Sequence, residues 1–165
     1  MATLIHAILL WISAGAALPK HVVPIDQAIA ASVAERPGIT AELLVAVAYV
    51  ESRFNPASVS RVEGGQRVTG IWASRAQIGE GPWFCGVLQA RAATWARCLE
   101  LRDSHLGYAA GATELASWLR RTGDIGAMLD GHGCGTHGVR TRRCNGYAGR
   151  VLRVHRRITA VGGAS

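Results

Sequence analysis

The run TAELLVAVAYVESRFNP, residues 40–56, constrains this chain more than any other stretch. Leu43, Leu44, Val47, Val50 and Phe54 recur at spacings of three and four, so one face of a helix here is apolar. Thr40 has the chemistry of an N-cap, and Asn55-Pro56 stops the run. At about 100° per residue, Glu51 falls inside the apolar arc, whereas Glu42, Ser52 and Arg53 fall outside it. The helix therefore places a carboxyl group on its buried side. Burial opposes ionisation, and a carboxyl that keeps its proton near neutral pH can act as a general acid. The plainer reading is a Glu paired with one of the chain's seventeen arginines at the helix end.

With 165 residues, the chain has the size of one ordinary domain with one continuous core. Its composition, 49% hydrophobic and 18% charged, excludes a disordered chain, and no apolar run reaches the roughly 18–20 residues of a membrane span. The net charge is +7, with a pI near 10.1, and a single lysine accompanies the arginines. Arginine favours bidentate contact with carboxylates and phosphates, so an acidic partner is expected: nucleic acid, an anionic membrane surface or a carboxylate-rich polymer such as peptidoglycan. Cys85, Cys98, Cys134 and Cys144 form two close pairs. An even number clustered this way suggests disulfides and an oxidising compartment, and of three connectivities the expected one is Cys85 with Cys98 and Cys134 with Cys144.

Residues 1–22 form an N-terminal apolar segment that reads equally as a weak signal peptide, lacking a basic n-region, or as a packed helix; residues 23–165 form the domain. A helix is expected to open at Asp26 and end at Pro37-Gly38. Residues 57–84 are rich in Gly and Ser and read as a long loop, within which QRVTGIW allows a short strand or hairpin. QARAATWARCLEL and GYAAGATELASWLRRTG read as two helices, with Asp103 a cap between them and Gly123 ending the second. LDGHGCGTHGVRTRRCNG reads as a second glycine-rich loop, and YAGRVLRVHRRI as a basic amphipathic helix. The expected fold class is mainly α.

Glu51, Ser52, Phe54, Asn55 and Pro56, followed by Gly86, Val87, Leu88 and Gln89, resemble the paired E-S-x-F-N-P and G-L-M-Q signature of the soluble lytic transglycosylase family. LGYAAGATELASWLRR and GYAGRVL resemble that family's downstream helices, so the likeness runs over about residues 23–158. It implies a lysozyme-like, α-rich single domain acting on peptidoglycan, with no metal and no cofactor. It further implies that Glu51 cleaves the β-1,4 bond between N-acetylmuramic acid and N-acetylglucosamine, giving a 1,6-anhydro product. Ser52 and Gln89 would orient the sugar or hold Glu51, and Asn55 would form the helix stop. Trp72, Trp83 and Phe84 suit stacking on sugar rings or ordinary packing.

The chain departs from the family pattern in three places. The stretch between the two motifs is longer than usual, an insertion beside the expected cleft. The family's tyrosine in A-Y-N-x-G, which contacts the catalytic carboxyl, should fall at Gly131-His132, so His132, Tyr147 or an insertion residue is expected to replace it. The four cysteines are an addition, and their positions suit bracing of the glycine-rich segments.

Several alternatives compete with this reading. A goose-type lysozyme would use water and a second carboxylate, for which Glu63, Glu80, Asp103 and Asp130 are available. His132, Cys134, His137 and Cys144 are chemically adequate for zinc, but their spacing matches no standard motif. The basic residues from Arg140 to Arg157 suit a nucleic-acid or cell-wall binding module, although nucleic acid is disfavoured by the lack of interleaved aromatics. The expected location is the periplasm or cell envelope, or a virion. A delivering partner would be a phage-particle or secretion-system protein.

Overall fold

The computed structural model describes residues 29, 33–34, 36–63, 66–71, 78–79, 81–141, 144 and 146–162. The apolar start, Asp26, Trp72 and Glu80 lie outside them. In chain order the elements are α1 (Ala41–Ser52), β1 (Ser58–Glu63), β2 (Gln66–Ile71), β3 (Trp83–Cys85), β4 (Ala90–Ala92), α2 (Trp95–Glu100), α3 (Ser104–Thr122), α4 (Ile125–Thr141) and α5 (Tyr147–Gly162). The chain is mainly helical, in keeping with a lysozyme-like, α-rich fold.

Helix α1 begins where expected, with Leu43 N–H donating to Thr40 Oγ1 at 3.2 Å. Its residues Leu43 to Ala48 are buried on every side, so the helix runs through the core rather than over it. It ends in two consecutive left-handed residues, Arg53 (φ 55°) and Phe54 (φ 63°). Phe54 is buried, and its packing offsets the strain of that conformation. Asn55 Oδ1 then accepts from Ala57 N–H at 2.9 Å, the side-chain turn that reverses the chain.

Residues 57–84 are not the long loop that their Gly and Ser content suggests. β1 pairs with β2 from Ser58↔Ile71 to Glu63↔Gln66, and β3 lies on the other edge of β1, opposing Val59 to Cys85. With β4 the sheet is antiparallel, in the order β2-β1-β3-β4. A small core of Val59, Ile78, Trp83, Ala90, Ala92 and Leu101 packs around the Cys85–Cys98 disulfide. The hairpin thus extends beyond QRVTGIW, because SVSRVE supplies a partner strand.

Two further expectations need correction. QARAATWARCLEL is not one helix: Gln89 stands at φ 50°, Ala90–Ala92 is strand, and α2 starts only after Thr94, whose Oγ1 accepts from Arg97 N–H at 3.1 Å. LDGHGCGTHGVRTRRCNG is helical as far as Thr141, interrupted at Gly135 (φ 61°). Glycine disfavours a helix when nothing else is gained, but here its missing side chain allows close packing. A Cβ on Gly131 would overlap the Trp118 ring, and one on Gly133 would stand 2.8 Å from Tyr147 Cδ1.

Helix α3 matches its expected ends, with Asp103 Oδ1 accepting from Leu106 N–H and Gly123 at φ 65° closing it. Gly107 and Gly111, one turn apart, form a notch on its surface. Val87 Cγ2 would lie 3.4 Å from a Cβ on Gly107, and a Cβ on Gly111 would overlap Leu88. The turn between β3 and β4 is docked there.

Candidate active site

Glu51 is the last residue but one of α1, and its side chain is only 5% exposed although the helix end itself is partly open. The carboxyl is thus turned inward, as the helical spacing requires. Its Oε1 lies 3.5 Å from Nε2 of His132 on α4. The His132 ring is 1% exposed, and Nε2 also stands 3.1 Å from the Leu88 carbonyl oxygen. A carbonyl can only accept, so Nε2 carries the hydrogen. On the far side of the ring, Nδ1 lies 3.6 Å from Glu114 Oε1, whose side chain is 27% exposed. An imidazole therefore separates two carboxyl groups contributed by different helices.

The remaining sequence-derived residues fall into two groups. Tyr147, at the start of α5, is buried, with its ring centroid 6.3 Å from that of His132 at an interplanar angle of 44°. Ser52 and Gln89 instead hold the neighbouring backbone. Ser52 Oγ donates to Val87 O (2.8 Å) and to Ala48 O (3.3 Å), which ties the end of α1 to the β3–β4 turn. Gln89 is 1% exposed; its Nε2 donates to Ser58 O and Gly86 O at 2.9 Å each, and its Oε1 accepts from Ser60 Oγ at 2.6 Å. The turn carrying the Leu88 carbonyl is thereby fixed beside His132.

Trp83 is buried, donates from Nε1 to Gly79 O at 3.1 Å and meets Trp95 edge to face, as packing residues do. Asp103 is spent as a cap, and Asp130 is 8% exposed on α4. The structure pairs Cys85 with Cys98 and Cys134 with Cys144. The second bridge occupies two of the four residues considered for zinc, and among the described residues no cluster of His, Cys, Asp and Glu could hold a metal. It joins α4 to the segment entering α5, next to the His132–Tyr147 contact. Closing loops of this length contributes about 3 kcal/mol per bridge on the chain-entropy account.

Sequence reading missed Glu114. It lies seven residues, about two turns, beyond Gly107 and so on the stripe of α3 that carries the glycine notch. An acidic residue on the close-packed side of a helix was the available signal.

With Glu51 buried at the centre of this geometry, the comparison with known families becomes specific. Residues 28–78 match the transglycosylase SLT domain. This is consistent with a soluble lytic transglycosylase of the lysozyme-like superfamily. The SLT match contains α1, Glu51 and the β1–β2 hairpin, whereas Gln89, Glu114, His132 and Tyr147 lie beyond it. No curated protein and no solved structure gave a match. At the family level, an SLT domain belongs to enzymes that cleave the glycan of peptidoglycan. Enzymes with that substrate work in the cell envelope, outside the cytoplasm, and the two disulfides of this chain fit such a place. No helix among the described residues is long and apolar enough to cross a membrane.

Proposed function

We propose that the chain is a lytic transglycosylase that cleaves the β-1,4 bond between N-acetylmuramic acid and N-acetylglucosamine, with Glu51 as its acid and base. The observation that carries this reading is the Glu51 carboxyl, buried at the end of the SLT-matching helix and 3.5 Å from His132. In the first step Glu51 gives its proton to the glycosidic oxygen as the C1–O bond breaks, and the N-acetylglucosamine side leaves with a free 4-hydroxyl. In the second, the Glu51 carboxylate takes the proton from the muramyl 6-hydroxyl while O6 bonds to C1. The 1,6-anhydro ring closes, Glu51 regains its proton, and no water is consumed.

His132 takes the place of the tyrosine expected beside the catalytic carboxyl, and it positions Glu51 rather than contacting sugar. Ser52 and Gln89 act through the β3–β4 turn, and Tyr147 bounds the imidazole. Glu114 stands at the other edge of the ring, 3.6 Å from Nδ1.

Replacing Glu51 by Gln removes the proton donor but keeps the shape. Strand cleavage should fall about 10²–10⁴-fold with folding unchanged. Unaltered activity in that variant would rule out Glu51 as the catalytic group. Mass spectrometry of the released muropeptides decides the product. Anhydro ends are lighter by one water than reducing ends, and reducing ends would assign the chain to goose-type hydrolysis.

A further inference from the structure

Glu114 stands at the imidazole cluster without a part in the reaction steps. Helix packing fixes where its side chain points. Gly111 and Trp118, three residues before it and four after it, share its stripe of α3. A Cβ on Gly111 would overlap Leu88, and one on Gly131, the residue before His132, would overlap the Trp118 ring. The Glu114 carboxyl is therefore aimed between the β3–β4 turn and α4, at the Nδ1 edge of the imidazole. The opposite edge faces Glu51 and the Leu88 carbonyl.

This geometry bears on the charge of the ring. Nε2 carries a hydrogen because it faces the Leu88 carbonyl oxygen at 3.1 Å. Nδ1 faces a carboxyl oxygen at 3.6 Å, beyond hydrogen-bond length and within ion-pair range. Burial by itself favours a neutral imidazole, whereas an anion beside Nδ1 favours the imidazolium. Glu114 is partly exposed, so water can solvate it as that anion. An imidazolium directs its Nε2–H toward the place where negative charge develops as Glu51 gives up a proton. Among the described residues, the titratable groups facing His132 are Glu51 of α1, Glu114 of α3 and Tyr147 of α5, with Arg150 behind the Tyr147 ring. Asp130 lies two residues earlier on α4, about 200° round the helix, and the Gly86–Gln89 turn offers a carbonyl but no titratable side chain.

We infer that Glu114 is a positioning residue for strand cleavage. It keeps the His132 ring charged, with Nε2–H turned to Leu88 and Glu51, and so sets the Glu51 carboxyl for proton transfer. Glu114 acts through the imidazole and not on the sugar. This deepens the lytic-transglycosylase reading and rests on it.

The test compares Glu114→Gln, which keeps the shape and removes the charge, with Glu114→Asp, which keeps the charge and shortens the reach. Glu100→Gln, exposed on α2, is the control and should behave as the wild type. Glu114→Gln should lower kcat about tenfold with KM within about twofold of the wild type, and Glu114→Asp should recover part of the loss. Removing the anion disfavours the imidazolium, so the alkaline limb of the kcat profile should move to lower pH in Glu114→Gln. A packing role would scale kcat at every pH and leave that limb in place. In a His132→Asn background, Glu114→Gln should add less than about twofold, because its route to Glu51 is gone. An equal effect with and without His132, an unmoved limb, or an unchanged kcat in Glu114→Gln would each overturn the proposal.

Nitrogen-15 NMR of the imidazole rings reads the same couple without substrate or turnover. The His132 signal, assigned by its loss in His132→Asn, should show the two alike nitrogens of an imidazolium in the wild type at neutral pH. In Glu114→Gln it should show the unlike nitrogens of a neutral ring. A neutral ring in the wild type, or the same ring in both proteins, overturns the proposal whatever the activity. Glu51-dependent cleavage with a His132 ring indifferent to Glu114 thus rejects the positioning role and leaves the enzyme. An imidazolium lost in Glu114→Gln, with no cleavage of peptidoglycan by the wild type, supports the Glu114–His132 couple and rejects the enzymatic reading.

Discussion

Removal of the His132 ring tests the proposed cluster most directly. Nε2 and Glu51 Oε1 are 3.5 Å apart. The two side chains are 1% and 5% exposed, so no solvent is at hand to replace either partner. What remains visible is the penalty for stranding one partner. His132→Ala leaves Glu51 and the Leu88 carbonyl facing an emptied site, and should cost about 3–5 kcal/mol. For a chain of this length that is a fall of roughly 10 °C in melting temperature. Glu51→Gln should cost less, because an amide still offers an acceptor. The double variant His132→Ala/Glu51→Gln should be more stable than the sum of the single losses by about 2 kcal/mol, within the range of coupled neighbours. Urea denaturation of all four proteins, with near-ultraviolet circular dichroism to verify packing, gives this cycle. Additivity within about 0.5 kcal/mol would refute a coupled Glu51–His132 pair and leave His132 a packing residue.

Two other perturbations test the frame around the site. The Tyr108 ring is fully buried on α3, and among the described residues its hydroxyl has no hydrogen-bond partner. Tyr108→Phe removes an unsatisfied polar group and should stabilise the fold by about 1 kcal/mol in thermal unfolding; a loss of that size would show that the hydroxyl is bonded. Burial raises the Tyr108 ionisation above its ordinary value of 10.0. The unfolded chain therefore loses this proton first, so Tyr108 subtracts stability as pH rises above about 10, by about 1.4 kcal/mol per unit until the folded form also ionises. Stability curves above that pH should be flatter in the Phe variant. Gly86 stands at φ 76°, and a Cβ there would overlap the Leu101 carbonyl oxygen. Gly86→Ala should cost about 3 kcal/mol in chemical denaturation and lower strand cleavage, since it displaces the turn that carries Leu88; native stability in that variant would contradict the close approach.

Much of the helical frame can be read locally. Thr40, Asp103 and Gly123 act on backbone groups within a few residues, so their caps appear in the sequence as they do in the fold. The same holds for the Asn55 turn, and Glu51 is placed inward by helical period alone. The glycines of α4 misled because the sequence shows their helix cost but not the Trp118 and Tyr147 rings that fill the vacated space. β1 was missed because an alternating strand of small polar residues acquires meaning only when β2 and β3 flank it.

The sequence by itself determined a helix carrying an inward carboxylate, followed by a fixed chain reversal, and two pairs of neighbouring cysteines. Those features follow from the helical period, capping chemistry and proximity along the chain. Only the tertiary structure decided that His132 stands between Glu51 and Glu114 and that Gln89 is spent on holding a turn. The physical reason is that these partners lie on separate elements, and their distances are set by how α1, α3, α4 and α5 pack. No residue's local preference encodes that.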